Sequence, residues 1–136
     1  MGITSIMGTN SDSYNLVKEG IKASTVRGKA IANNIANINT ANYKRFQVVF
    51  EDNINNSKSS NLNLKTSNEK HLTGTSTTGN ITVEKDESTS MRTDGNNVDL
   101  EVEKVNQAAN TLKYNALIQQ ANGKLSNIKY VIAGGK

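Results

Sequence analysis

Few side chains in this chain could make or break bonds, and their spacing assembles no familiar catalytic set. There is a single histidine, His71, and no cysteine. Neither a thiolate nucleophile nor a thiolate metal site can therefore be built, and no Ser-His-Asp arrangement can be proposed around His71, which reads as a polar loop residue. Glu84, Asp86 and Glu87 bring three carboxylates close together, the raw material of acid–base work. Standing in a low-complexity stretch, they read better as groups that keep it solvated. Asp94-Gly95-Asn96-Asn97-Val98-Asp99 superficially resembles a calcium loop, yet its sixth position is not glycine and its twelfth is Val105, not a bidentate Glu. No Walker or dinucleotide-binding fingerprint occurs. The sequence thus assigns no catalytic residue, no metal and no cofactor, and it reads as a non-enzyme.

With chemistry set aside, architecture is left. At 136 residues, 35% hydrophobic and only 4% aromatic, the chain has room for one domain with an aliphatic core. The net charge of +4 comes from 16 Lys and Arg spread along the chain, with Lys44-Arg45 the one adjacent pair. Dense basic runs interleaved with aromatics are missing, so the cations read as solvated faces and no nucleic-acid partner is expected. A basic helical adaptor binding nucleic acid is the rival reading from a different class. Met1 to Gly8 lacks the basic start and apolar run of a cleavable signal peptide, and no segment approaches the roughly 20 apolar residues that span a bilayer.

Two long periodic elements lie at the ends of a single domain, 1–136. After a flexible 1–10, Tyr14, Val17, Ile21, Ser24, Gly28, Ile31, Ile35 and Ile38 follow alternating steps of three and four, which predicts a helix over 11–39 with one narrow apolar stripe. Ser24 and Gly28 weaken that stripe or permit close helix approach. Asn39-Thr40-Ala41-Asn42 ends the helix, and Phe46 to Phe50 reads as a short extended segment. From Asn53 to Asn97 the pattern dissolves into Asn, Ser, Thr, Gly and charge, which predicts a mobile loop in the monomer with a brief strand at Ile81-Thr82-Val83. Asp94-Gly95-Asn96-Asn97 supplies a turn and a choice of N-caps for a helix over 98–132, with Asp99, Glu101 and Glu103 favoured by its dipole. Val98, Val102, Val105, Ala109, Leu112 and Ala116 form one stripe; Leu117, Ala121, Leu125, Ile128 and Ile132 continue on a shifted phase, as expected of a helix touching more than one partner. The fold class is all-α: two long terminal helices pairing as a coiled-coil-like hairpin or with neighbouring subunits, around a polar, largely irregular middle that can hold short β-strands.

The stretch Asn33-Asn34-Ile35-Ala36-Asn37, then Thr40, then Tyr43-Lys44, resembles the signature of the bacterial flagellar axial family of rod and hook proteins. Asp94 to Glu101, Leu112 to Leu117 and the segment from Leu64 to Leu72 share the resemblance, and the short chain is similar to the rod components nearest the membrane. The main departure is Ala41-Asn42, where the family commonly has Pro-Gly; Asn can adopt the backbone conformation that Gly supplies. The resemblance implies a structural subunit of the flagellar basal body, exported from the cytoplasm by the flagellar type III apparatus without a cleaved signal peptide. Implied partners are other copies of itself, the membrane-ring adaptor and other rod proteins; a different axial subunit, such as the other proximal rod protein, is the nearest alternative. The expected assembly surfaces are Tyr14, Val17, Ile21, Ile31, Ile35 and Ile38 on the first helix and Val98, Val102, Val105, Leu112, Leu117, Leu125 and Ile128 on the second. The amides of Asn33, Asn34 and Asn37 are expected to cap backbone groups and join neighbours, and Phe46 and Phe50 look like the short signal that flagellar export gates read.

Overall fold

A computed structural model describes residues 3–50, 80–90 and 92–134, with side chains from residue 12 onward. His71 and the segment from Leu64 to Leu72 lie outside the described residues. Helix α1 spans Ile3–Ala36 and so takes in residues expected as a flexible start. Strands β1 (Phe46–Val49) and β2 (Thr82–Lys85) pair antiparallel, Phe46 opposite Lys85 and Val49 opposite Thr82. Helix α2 spans Leu100–Ile132. Its cap is Asp99, whose carboxylate accepts from the N–H groups of Glu101 and Val102, not one of the residues 94–97 proposed from sequence. The helices pair antiparallel. Lys124 reaches Ser13, Leu117 lies against Gly20, the Asn110 amide donates to the Ser24 carbonyl at 2.9 Å, and Asn34 meets Glu103.

Small residues make that pairing close. Ala23 and Ser24 are buried, and a Cβ built on Gly20 would sit 3.3 Å from the Leu117 side chain, tighter than ordinary contact. The weak centre of the α1 stripe is therefore where α2 approaches its backbone. The remaining core is aliphatic with one ring: Val17, Ala30, Ile31, Val48, Phe50 and Val98. Residues 80–90 and 92–97 are not the loose chain their composition predicts. Hydrogen bonds from Asn and Arg side chains, described next, hold them where apolar burial could not.

Candidate functional site

Asn34 is fully buried and stands where α1 meets β1. Its amide nitrogen donates to the Phe46 carbonyl at 2.9 Å and to Glu103 Oε2 at 3.2 Å, while its Oδ1 accepts from the Phe46 N–H at 2.9 Å and from the Tyr43 hydroxyl at 3.3 Å. One side chain thus satisfies both backbone groups of Phe46 on the β1 edge away from β2. Arg27 does the same for the Val48 carbonyl at 3.4 Å. An edge strand ordinarily exposes these groups; here a helix covers it. Glu103, also buried, lies 3.6 Å from Arg45 Nε, which in turn is 3.8 Å from Asp86. Burial and the nearby Glu103 charge raise the Tyr43 pKa, keeping the phenol protonated as a donor.

A second asparagine closes the end of α1. Asn96, fully buried, turns its amide nitrogen onto the carbonyls of Asn37, Ile38 and Thr40 at 2.9, 3.0 and 2.9 Å, in the turn that follows α1. Its Oδ1 accepts from the Val98 N–H at 2.8 Å. Arg92 adds a further donor to the Ile38 carbonyl and pairs with Asp94. The Asp94 carboxyl is held below its ordinary value, first by the Asn96 N–H and then by Arg92; that of Asp86 is lowered mainly by the N–H and hydroxyl of Ser88. Asn97 accepts from the Arg45 N–H at 2.7 Å and donates to the Asp86 carbonyl at 2.8 Å. Asp86, Asp94 and Asp99 are thus occupied by protein donors, while Glu84 and Glu87 stay exposed. No cluster able to hold a metal ion occurs among the described residues.

The turn that joins these parts uses the left-handed backbone expected of it. Asn42 has φ 59°, and its N–H donates to the Asp94 carbonyl at 2.8 Å. Gly95 faces it with φ 74°, and a Cβ there would meet Asn42 Oδ1 at 2.7 Å. Gly95→Ala combines that collision with an unfavourable φ. It should lower unfolding stability by about 1–3 kcal/mol, visible as an earlier urea midpoint with unchanged slope.

Of the signature residues, Asn34, Tyr43 and Lys44 make contacts distant in sequence, Lys44 reaching the Ser88 carbonyl at 2.9 Å. Asn37 and Thr40 hold the local turn. Asn33 does not cap with its amide: it is exposed, and only its carbonyl serves, accepting from Asn37. Ile35 and Ile38 are half-buried and Ala36 is exposed. Sequence reasoning missed Arg45, Glu103, Asn96 and Asn97 as members of this junction. The Asn96-Asn97 pair ahead of the second helix was the available signal.

The stripes divide unequally. On α1, Val17 and Ile31 are buried inside the hairpin, and Tyr14 and Ile21 are half-buried. On α2 the row facing α1 is largely polar, Glu103, Asn106, Asn110, Leu117, Ala121 and Lys124, and only Leu117 and Ala121 come from the expected apolar positions. Val98 is buried ahead of the helix, but Val102, Val105 and Leu112 face outward at 44, 68 and 72% exposure, with Leu125 and Ile128 about half exposed. About 100° of helix rotation separates this outer row from the inner one. Phe46 is partly exposed; Phe50 is buried. A groove of about 270 Å³ between α1, β1 and α2, lined by Arg27, Arg45, Glu103, Asn110 and Lys113 among others, offers no nucleophile–base set.

Residues 19–44, from mid-α1 through the left-handed turn, match the family of flagella basal body rod proteins. Beyond that segment the chain is similar to the flagellar basal body rod protein FlgB of Bacillus subtilis (strain 168), 35% identical over 88% of this chain and 92% of the relative. The chain belongs to the FlgB family. FlgB of Borrelia hermsii is 34% identical over 85% of this chain and 93% of its own, and that of Buchnera aphidicola subsp. Baizongia pistaciae 29% over 92 and 96%. FlgB proteins are structural subunits of the flagellar basal body rod, and the described residues fit: two polar locks brace a hairpin that presents an aliphatic row. No described helix is long and apolar enough to cross a membrane.

Proposed function

We propose that this FlgB-family chain does its work by assembly alone, without catalysis, as a subunit of the membrane-proximal rod that leaves the cytoplasm uncleaved through the flagellar type III apparatus. Its partners are further copies of itself, the membrane-ring adaptor and the next rod proteins. The observation that supports this most is the outward row Val102, Val105 and Leu112, on a helix whose other side is already engaged. Burying one such side chain contributes about 1.5–3 kcal/mol, and a heterologous contact repeated without closure builds a helical tube. Since Phe50 is core in the folded chain, any reading of Phe46 and Phe50 by an export gate precedes folding.

Leu112→Asp tests the proposal, because a side chain this exposed can change without unsettling the hairpin. The variant should fold and be exported, yet leave cells non-motile, and immunoelectron microscopy of purified basal bodies should find label at the membrane-proximal rod for the parent protein and none for the variant. Normal rods carrying normal label in the variant would overturn the role of this face. Parent label elsewhere along the axis would overturn the proximal position.

A further inference from the structure

Asn122 is the one asparagine of this chain that is followed by glycine, and both Asn122 and Gly123 are exposed on α2. Such a pair can modify itself. The Gly123 amide nitrogen, once deprotonated, attacks Cγ of Asn122; the new N–C bond closes a five-membered succinimide, the bond from Cγ to the side-chain nitrogen breaks, and that nitrogen leaves as ammonia. Water then opens the ring at either carbonyl. Attack at Cγ restores an ordinary backbone with Asp at 122, whereas attack at the main-chain carbonyl leaves isoaspartate, in which the chain runs through the former side chain and gains one carbon. Water is the only co-reactant.

The helix decides when this happens. In an α-helix the Gly123 N–H is directed at the Gln119 carbonyl, and the helical ψ of about −42° holds that nitrogen away from Cγ, so the ring closes only after the turn opens. Two features ease opening. Glycine is the poorest helix former after proline, and a Cβ built on Gly123 meets nothing within 4 Å, so no neighbour packs over this turn. Of the described residues of α2 only Glu103 is buried, which leaves the far part of the helix with little apolar burial to hold it, the condition for local opening. Asp94-Gly95 could close the same ring by losing water, but it is secured: its carboxylate accepts from the Asn96 N–H at 3.1 Å and from Arg92 at 2.7 Å, and the Gly95 N–H donates to the Arg92 carbonyl at 3.1 Å.

We propose that Asn122-Gly123 is a site of spontaneous deamidation controlled by α2: the closed helix preserves the amide, and each opening exposes it to conversion. Isoaspartate places its extra backbone carbon two residues before Lys124, whose ammonium reaches the Ser13 hydroxyl. The helical ladder then breaks beside the contact that closes this end of the hairpin. Each chain thereby carries a chemical record of how long its second helix has stood open.

Purified full-length protein held at mildly alkaline pH, native or in guanidinium chloride, tests this by peptide mass spectrometry and isoaspartate-specific methylation. Residue 122 should yield both isoaspartate and aspartate, converting about tenfold or more slowly in the native protein than in the denatured chain. Gly123→Ala should suppress conversion even when denatured, because its methyl group shields the attacking nitrogen; the structure has room for that methyl, and the variant should fold with a later urea midpoint. The isolated isoaspartate form should unfold at lower urea and exchange its amides faster over 117–127, whereas Asn122→Asp, with the same charge on an ordinary backbone, should match the parent. Equal rates in native and denatured protein would overturn control by the helix. A denatured chain whose Asn122 stays intact would overturn the site, and an isoaspartate form as stable as Asn122→Asp would overturn its consequence for the hairpin.

Discussion

Asn34→Ala should be among the most damaging single changes in this chain, lowering unfolding stability by about 3–4 kcal/mol. The methyl group removes two donated and two accepted hydrogen bonds, but the cost arises in what they leave behind: the N–H and C=O of Phe46 lose their shared partner, the Tyr43 hydroxyl loses an acceptor, and the buried Glu103 carboxylate loses a donor. Each orphaned group costs about 1–3 kcal/mol. Urea unfolding of parent and variant measures the difference directly. Asn34→Asp keeps the shape while placing a second carboxylate beside Glu103. Their mutual repulsion raises the pKa of the pair in the folded state, so this variant, unlike Asn34→Ala, should regain stability as pH falls into the carboxylate range. An unaltered urea midpoint in Asn34→Ala would mean that the junction contributes little.

Asn96→Ala should cost about 2–4 kcal/mol and act in a different place. Its amide donates to three carbonyls of the turn that follows α1 while its Oδ1 holds the Val98 N–H, so removal loosens both the exit from one helix and the approach to the next. Arg92 still reaches the Ile38 carbonyl, which keeps the loss below total collapse. Amide hydrogen exchange should locate the effect: faster exchange over 37–46 and 96–99, with the middle of the hairpin near Ser24 and Asn110 unchanged. Uniform acceleration across both helices would show instead that the cap is part of one global cooperative unit.

The long elements were legible because periodicity is a strong signal over thirty residues. The Phe46 strand, the left-handed Asn42 and the short strand near Ile81 were also readable from local residue types. What escaped was the order in 80–90 and 92–97, since Asn and Ser are enriched in loose chain and in tight polar junctions alike. Only three-dimensional placement tells a solvated amide from one that bridges Phe46 to Glu103. The two faces of α2 were harder still. Apolar content ordinarily marks the inward side of a helix, yet here the row on α1 carries Glu103, Asn106 and Asn110 while Val105 and Leu112 look outward. Under the proposed assembly role, a subunit covered by neighbours reverses the rule, because its most adhesive surface must be available to others. The shifted phase at Leu117 was the trace of that division.

The antiparallel register also has a mechanical consequence. Ser13 and Lys124 lie at one end of the hairpin and the asparagine locks at the other, so tension on the amino-terminal end of α1 would load the inter-helix contacts one turn at a time. Peeling in this way requires far less force than shearing all of them together. The seam it travels is soft, with the Ser24 hydroxyl and the Asn110 carbonyl oxygen buried without partners. Resistance is greatest where the tear reaches Asn34 and Asn96. The molecule is a zipper with its stop at the far end, easily drawn out as a thread and able to close again from the stop once the pull is released.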